Sequence, residues 1–550
     1  MASSILHFAS SLLLLCLLVS AQGPPRVNVK CGSIEGVWDT PGIAGFYGIP
    51  FAQPPTGHLR WMPPRDPDCW GKNVTFMAIK PAPACPQLNL GSQDNMSEDC
   101  LYLNVFSTLP SKPVPVLVWI YGGGSVDGSA ESYGPVQNMV RDLEGEVVLV
   151  AFNYRLNSFG YFALRELSAI DPRGVSGNYG ILDCQKALQW VQQNIAMFGG
   201  DPTRVGVFGQ SSGGTQVLGL LASPGSRGLF RAAISLSGSP NMTMPLHVME
   251  NQGLQFVRAA GCEGASDVLK CMYALDMTAL RKATPQHWAY EGDFLADTVY
   301  PVDVPYPGLV IVDGVTITMP LPQALHAGLV DVPTIISSMQ TEMDGSFNES
   351  MAWNQAAFDR FCGQQFRHWP AEVGPGIAAL YDPMAQESAG FAFYNLQSDV
   401  CVTCGNAAIA VQAGLGFRSP VYLMLNTHWP SHPIYGSSTS AVPKHFPYHT
   451  WDTTCAFDTW AGHKQAGGGP YVPLQADLDY GANLRQLWLQ LTRDGVLPSN
   501  CKTVNDVGGF PANYNTVLLS NTVVTAPNYK THMCDQLYTY GLDEKFWWVN

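Results

Sequence analysis

The stretch that decides the fold is residues 205–214, VGVFGQSSGG, in which an apolar run meets the pattern G-x-S-x-G. The apolar run predicts a buried strand, and the residues that follow Ser211 predict the start of a helix. Small residues two positions before and two positions after the serine permit a very sharp turn. We therefore expect an exposed Ser211 hydroxyl at the N-terminus of a helix, where the helix dipole favours an anion.

Predicted strands and helices alternate on both sides of this turn. The runs 114–121, 146–154, 204–208, 231–237, 332–338 and 420–425 are apolar enough for buried strands, and 177–198 has the period of a long helix. This alternation predicts the α/β class, a mostly parallel sheet with helices on both faces. The pattern loosens after about residue 240, and segments such as 353–395 indicate helical insertions over the sheet. Because no Pro-, Gly- or Ser-rich linker divides the chain, we expect one domain over residues 22–550.

The composition excludes one class of partner. The net charge is −14, and no run of basic residues interrupts the acidic balance. Nucleic acid is therefore excluded as an expected partner, since phosphate binding requires a basic face.

The first 21 residues have the features of a secretory signal. Residues 12–19 form an apolar run, and Val19-Ser20-Ala21 fits a small-x-small cleavage site, although Lys and Arg are missing before the run. A membrane anchor is the alternative, but the run is short for a bilayer. We expect cleavage near Ala21 and an extracellular, secreted protein.

The cysteines and the glycosylation sequons agree with export. Of fourteen cysteines, Cys16 lies in the signal and Cys184 fits a buried free thiol, which leaves twelve that could form six disulfides. Sequons for N-glycosylation begin at Asn73, Asn95, Asn241 and Asn348.

Further motifs lie along almost the whole chain beyond its first 21 residues. They are FYGIPFA (46–52), PP (54–55), LRW (59–61), SEDCLYLNV (97–105), YGGG (121–124), NYR (153–155) and LWLQLTRDG (487–495). With the turn at Ser211, these blocks resemble the type B carboxylesterase and cholinesterase family. The resemblance implies an α/β-hydrolase fold with helical insertions around a substrate gorge. It also implies a catalytic triad in the chain order Ser, Glu or Asp, His.

Ser211 is the expected nucleophile, because a serine hydroxyl at such a turn attacks once a neighbouring base takes its proton. The expected base is His449 in PYHTWD (447–452), which resembles the family's aromatic-His-Gly-x-acid segment with Thr450 in place of glycine. His445 is the alternative base.

The acid of the triad has two candidates. The segment 333–342 resembles the family strand that ends in Asp-Glu-Gly, and an ungapped alignment places Glu342 on the catalytic glutamate. The family glycine is Met343 here, whereas Asp344 is followed by a glycine, so a shifted register selects Asp344. Either carboxylate could orient the imidazole and stabilise its cation.

The oxyanion hole is expected from the backbone N–H groups of Gly123, Gly124 and Ser212. Glycines let the chain approach the substrate oxygen, and the residue after the nucleophile offers its amide at the helix start. The family has alanine at the position of Ser212, a change that a backbone donor tolerates.

The resemblance also implies disulfides. By position in the family, Cys85 pairs with Cys100, Cys262 with Cys271, and Cys404 with Cys534. The pairing of Cys31, Cys69, Cys362, Cys401, Cys455 and Cys501 stays open at this point.

Two departures from the cholinesterases bear on the substrate. The loop 86–99 has no aromatic residue for stacking on choline, and Gln210 replaces the glutamate before the nucleophile. We therefore expect a serine hydrolase for small neutral carboxylic esters that works through an acyl-enzyme, with no metal or organic cofactor. A neuroligin-like adhesion protein without catalysis and a triacylglycerol lipase acting on lipid or membrane-surface substrates are the alternatives. The sequence does not determine the oligomeric state.

Overall fold

The computed structural model describes residues 23–88, 95–285, 288, 309–345, 348–435, 443–466, 468–509 and 511–542. The predicted signal segment and its cleavage near Ala21 therefore lie outside the described residues. Of the sequon asparagines, Asn73 and Asn95 are exposed and Asn241 is half-buried, while the Asn348 side chain also lies outside the described part.

Apolar, β-branched runs form the strands, because both faces of the main sheet are buried. In chain order the strands are β1 (Arg26–Val29), β2 (Gly32–Glu35), β3 (Val37–Thr40), β4 (Ile43–Pro50), β5 (Thr75–Met77), β6 (Tyr102–Ser107), β7 (Val114–Ile120), β8 (Val148–Phe152), β9 (Gly200–Gln210), β10 (Ala232–Leu236), β11 (Thr334–Met339), β12 (Val421–Asn426), β13 (Ile434–Tyr435), β14 (Lys464–Gln465), β15 (Asn515–Leu519) and β16 (Val523–Pro527).

The helices cover this framework. In chain order they are α1 (Asn138–Asp142), α2 (Asn157–Tyr161), α3 (Arg165–Ile170), α4 (Tyr179–Asn194), α5 (Ser212–Leu221), α6 (Leu246–Ala259), α7 (Val268–Ala274), α8 (Met277–Ala283), α9 (Leu321–His326), α10 (Gln355–Gln365), α11 (Val373–Glu387), α12 (Ala389–Ser398), α13 (Cys404–Gly416), α14 (Trp451–Ala456), α15 (Gln475–Asp494) and α16 (Thr531–Thr539). A π-helical turn, Asp399–Thr403, joins α12 to α13. No helix within the described ranges combines the length and the apolar character that a bilayer crossing requires.

In the described part of the chain the main sheet has eleven strands in the order β16-β15-β12-β11-β10-β9-β7-β8-β6-β4-β3. The strands from β15 to β8 run parallel, and β16, β6, β4 and β3 each pair antiparallel at the two flanks. Helix α5 packs on β9 and β10, and α15 packs on β7, β9 and β10. The predicted α/β class is confirmed, with each predicted strand within a few residues of its expected place.

The sheet topology determines where a site can form. Strands β7, β9 and β11 are parallel members of the same sheet, so their carboxyl ends share one edge. The glycine run that begins at Gly122 follows β7, Ser211 follows β9, and Glu342 follows β11. Functional groups in open α/β sheets collect at this edge.

Four disulfides connect described residues. The three pairs that the resemblance implies are present, and Cys31 pairs with Cys69. The possible total of six disulfides is not reached, because Cys362, Cys401, Cys455 and Cys501 are buried free thiols; Cys184 is a buried free thiol, as expected. Burial raises the pKa of the Cys184 thiol well above its usual value.

Candidate active site

Ser211 occupies a strained turn between β9 and α5. Its backbone angles are φ 59° and ψ −129°, a combination that an L-residue rarely adopts, and its N–H donates to the Leu236 carbonyl at 2.8 Å. Glycines are required on both sides of the turn: a Cβ on Gly209 would lie 2.4 Å from the Gly213 carbonyl oxygen, and one on Gly213 would lie 2.1 Å from that of Ile120. The strain is therefore built into a closely packed strand–turn–helix unit.

The serine is less accessible than the turn alone predicts. Only 4% of Ser211 is exposed, because the loop after β7 runs directly beside it. A Cβ on Gly122 would lie 2.7 Å from the Ser211 Cβ. The hydroxyl group thus lies in the interior of the molecule, where a substrate would be largely removed from water.

The turn after β11 and the segment before α14 bring Glu342 and His449 together. His449 Nδ1 lies 2.7 Å from Glu342 Oε2, and the backbone N–H of His449 donates to the backbone carbonyl of Glu342 at 3.1 Å. The Met339 N–H donates to Glu342 Oε1 at 2.7 Å and fixes the carboxylate. Because a carboxylate only accepts, the imidazole proton lies on Nδ1, and Nε2 is left as the acceptor.

The two alternative residues form a different contact nearby. Asp344 Oδ2 accepts the backbone N–H groups of His445 at 2.5 Å and of Phe446 at 2.6 Å. Burial raises the pKa of Asp344 to about 6, and burial lowers the pKa of His445. Asp344 therefore holds the backbone of the segment that carries His449, whereas the imidazole of His449 contacts Glu342.

Two polar groups at the site were not predicted. The Tyr133 hydroxyl donates to Gln210 Oε1 at 2.6 Å, and Gln210 Nε2 lies 3.0 Å from His449 Nε2. The sequence identified Gln210 only as a lost negative charge. Nothing in the sequence pairs Tyr133 with it, because the two residues follow different strands.

Asp452, the acid at the end of the PYHTWD segment, is a third group to which the sequence analysis gave no role. It is fully buried, and its Oδ1 accepts the Thr453 N–H at 2.8 Å. Burial, followed by the charge of Glu342, raises the pKa of Asp452 to about 7. A second carboxyl group therefore lies close enough to the His449–Glu342 pair to sense its charge.

The glycine run expected to contribute to the oxyanion hole passes Ser211 at Gly122, where an added Cβ would lie 2.7 Å from the Ser211 Cβ. Gly123 and Gly124 have φ values of 124° and 61°, both in the region that glycine tolerates best. The Gly123 carbonyl accepts the N–H groups of Val126 and Asp127 at 3.0 Å each, which closes a tight turn. Ser212 is the first residue of α5, so its amide is one of the free N–H groups at that helix start.

Comparisons with known proteins agree with this architecture. Residues 23–496 match the model of the carboxylesterase family. The chain is 41% identical over 247 residues to the fumonisin B1 esterase of Sphingopyxis macrogoltabida, which covers 44% of this chain and 43% of that protein. It is 37% identical over 260 residues to the para-nitrobenzyl esterase of Bacillus subtilis (strain 168), with 46% and 51% covered.

The matches thus span about half the length of these relatives. This chain is also similar to the cocaine esterase of Homo sapiens. The two are 41% identical over 248 residues, which cover 41% of this chain and 43% of that protein. A solved PNB esterase superposes with a TM-score of 0.71 over 94% of this chain and 100% of its own, and its 24% sequence identity supports the fold alone. Because the family match covers most of the sequence and the fold agrees, this chain belongs to the carboxylesterase family.

Proposed function

We propose that the protein hydrolyses carboxylic esters with Ser211 as nucleophile, His449 as general base and acid, and Glu342 as the group that orients the imidazole. The observation that carries the proposal is the 2.7 Å contact between His449 Nδ1 and Glu342 Oε2. It leaves Nε2 as the acceptor, and that atom lies 3.0 Å from the side chain of Gln210, the residue directly before Ser211. The imidazole therefore has the tautomer that a general base needs, and it contacts the residue next to the strained serine.

The reaction then follows from the positions of these groups. His449 Nε2 takes the hydroxyl proton while Ser211 Oγ bonds to the ester carbonyl carbon. The N–H groups of Gly123, Gly124 and Ser212 stabilise the negative charge on the carbonyl oxygen. The bond between the carbonyl carbon and the alcohol oxygen breaks as His449 gives the proton to that oxygen. Water then attacks the acyl carbon while His449 takes its proton. The bond from this carbon to Ser211 Oγ breaks, the proton returns to the serine, and the acid is released.

We propose neutral carboxylic esters as the substrates. The neutral Gln210 next to the nucleophile supports this choice, since it offers no fixed charge to a cationic alcohol. The relatives' names refer to fumonisin B1, para-nitrobenzyl and cocaine esterases and do not agree on one substrate, so acyl-chain length is a question for measurement. We also propose that the chain is secreted after cleavage near Ala21, which its four disulfides support, because disulfides persist in oxidising compartments.

The test is hydrolysis of p-nitrophenyl esters from acetate to palmitate by the secreted protein and by matched pairs of variants. Ser211→Ala and His449→Gln should lower kcat by about 10⁴-fold or more, and Glu342→Gln by about 10⁴-fold. The controls His445→Gln and Asp344→Asn replace the neighbouring histidine and carboxylate, and should stay within about tenfold of wild type, since it is Glu342 that bonds the imidazole of His449.

The outcomes separate the alternatives. A preference for acetate to butyrate supports a carboxylesterase, and a preference for palmitate in emulsion indicates a lipase. A folded wild-type protein with its disulfides intact and with no activity on any ester of the series would contradict the proposal and favour the adhesion function.

A further inference from the structure

The side chain of Gln210 contacts both the Tyr133 hydroxyl and the His449 imidazole. Its side chain is fully buried at the end of β9. The Tyr133 hydroxyl donates to its carbonyl oxygen at 2.6 Å, and its amide nitrogen lies 3.0 Å from His449 Nε2. Because the phenol fixes the carbonyl end of the amide, the NH₂ end is held toward the imidazole.

The His449 atom that receives this amide is the atom that must receive the serine proton. A neutral imidazole with its proton on Nδ1 has a single lone pair in the ring plane, and that lone pair is on Nε2. The Gln210 amide and the hydroxyl proton of Ser211 therefore compete for one acceptor. A hydrogen bond to the neutral form of a base also disfavours its protonated form.

We propose that Gln210, oriented by Tyr133, is a positioning residue that holds His449 in its neutral state and limits how readily its Nε2 takes a proton. The inference rests on the proposed function of His449 as the base. Once Nε2 carries a proton it no longer accepts from the amide, and the amide offers its oxygen only by turning over, which exchanges its oxygen and nitrogen and leaves the Tyr133 hydroxyl as an acceptor in place of a donor. Both steps disfavour the imidazolium.

Other titratable groups interact with this imidazole or with the carboxyl groups near it, and their effects must be separated from that of Gln210. Glu342, after β11, contacts Nδ1, and Asp452, on α14, interacts with the charges of both His449 and Glu342. On the segment before His449, Lys444 lies beside Asp344, and His445 follows it. Cys401, in the π-helical turn, senses the charge of Glu342. These groups stay constant when only Gln210 or Tyr133 is changed.

The experiment measures the pKa of His449 in the full-length protein by NMR of ¹³C-labelled histidine. The resonance is assigned by its loss in His449→Gln. Gln210→Met keeps the size of the side chain and removes the donor, so the pKa of His449 should rise by about half to one pH unit, the size of one hydrogen bond. Gln210→Glu adds a carboxylate at the same place and should raise it by about one to three pH units.

Tyr133 provides a test of the connection itself. Tyr133→Phe frees the amide to offer its oxygen to the imidazolium, so the pKa of His449 should rise in this variant too. Adding Tyr133→Phe to Gln210→Met should produce no further rise, because methionine has no amide to orient. In an Asp452→Asn background, Gln210→Met should shift the resonance by the same amount, which separates the amide from that carboxyl group.

The pH profile of kcat/KM for p-nitrophenyl acetate is the second readout. Its acid limb should move upward in the same order as the NMR values. Gln185→Met is the control for loss of a buried glutamine, since Gln185 bonds Ser223 and Ser226 away from the site. It should leave both the limb and the resonance in place.

An unchanged pKa of His449 in both Gln210→Met and Gln210→Glu overturns the proposal, as does a fall in kcat with no movement of the limb. If one of these variants fails to fold, the other and Tyr133→Phe still decide. If the wild-type protein hydrolyses no ester, the proposed function fails, but the NMR titration still tests the Gln210 contact because it requires no turnover.

Discussion

Thr450 directly follows His449 and has a φ of 78°, in the left-handed region where a β-branched residue is strained. The family resemblance places a glycine at this position, and the backbone angle supplies the physical reason. The Thr450 carbonyl accepts from the Thr453 hydroxyl at 2.8 Å and from the Thr454 N–H at 3.0 Å, so the turn starts α14 and positions His449.

Replacing Thr450 by glycine should therefore stabilise the protein. Glycine removes a backbone strain of about 1–2 kcal/mol and adds unfolded-state entropy that offsets part of it, so we expect a net gain of about 1 kcal/mol in the free energy of unfolding. The measurement is urea-induced unfolding. Thr539→Gly is the control: Thr539 is the last residue of α16, where the backbone is right-handed helical and the same change should destabilise by up to about 1 kcal/mol. A loss of stability in Thr450→Gly would show that the threonine is not strained.

Asp452 makes the stability of the protein depend on pH. Its pKa is raised from 3.8 to about 7 by burial and then by the charge of Glu342. The folded chain therefore keeps a proton that the unfolded chain releases. The stability that this proton contributes is complete below about pH 4 and is lost as the pH rises through about 7.

Asp452→Asn should abolish this dependence. Relative to wild type, the variant should gain stability from about pH 4 to pH 7, by up to about 4 kcal/mol, and the difference should be level above pH 7. Unfolding in urea at several pH values measures it. Asp344→Asn is the comparison, since burial raises the pKa of Asp344 to about 6, and its gain should be smaller and complete at a lower pH. A difference that does not vary with pH would contradict the argument.

At the scale of the element, the strand–turn–helix unit around Ser211 requires the backbone of α5 to lie very close to the backbone of β7. Gly213 and Gly219 both lie in α5, and both are buried. A Cβ on Gly213 would meet the Ile120 carbonyl oxygen at 2.1 Å, whereas one on Gly219 would meet the terminal Cδ1 of Ile181 at 2.5 Å. The first neighbour is backbone in the middle of the sheet, and the second is the end of a flexible side chain.

Gly213→Ala should accordingly destabilise the protein by about 3 kcal/mol or more, because β7 and α5 have to move apart. Gly219→Ala should stay within about 1 kcal/mol of wild type, since the gain in helix propensity offsets the cost of moving Ile181. Thermal unfolding of the two variants side by side measures the difference. Equal losses would mean that the glycines serve flexibility and not close packing.

The elements also show which parts of the fold the sequence could predict. Strands β7 to β12 are continuous apolar runs, because both of their faces are covered, and such runs are recognisable without tertiary information. The flanking strands β3, β4, β15 and β16 escaped prediction. Strand β16 is partly exposed along its whole length, which weakens its apolar signal, and Gly45 and Gly48 interrupt the apolar run of β4.

For the whole molecule, the same division applies to the candidate site. The serine turn and the glycine run are local patterns, so spacing along the chain sufficed to predict them. The choice between Glu342 and Asp344 is a matter of which carboxylate reaches His449 across 107 residues, and only the three-dimensional structure provides that distance. Gln210 reaches the imidazole of His449 from β9, and Tyr133 contacts Gln210 from the loop after β7. No sequence pattern records that these separate segments meet.

The disulfides lead to a prediction at this largest scale. Cys404–Cys534 joins α13 to α16 and closes a loop of 130 residues, whereas Cys262–Cys271 closes one of 9. A crosslink restricts the unfolded chain more when its loop is longer, so replacing both cysteines by alanine should cost about 5 kcal/mol for the first pair and about 2.5 kcal/mol for the second. The free energy of unfolding in urea, measured for both double variants, tests the order. Equal losses for the two double variants would contradict this argument. They would mean that restriction of the unfolded chain is not the main contribution of Cys404–Cys534 to stability.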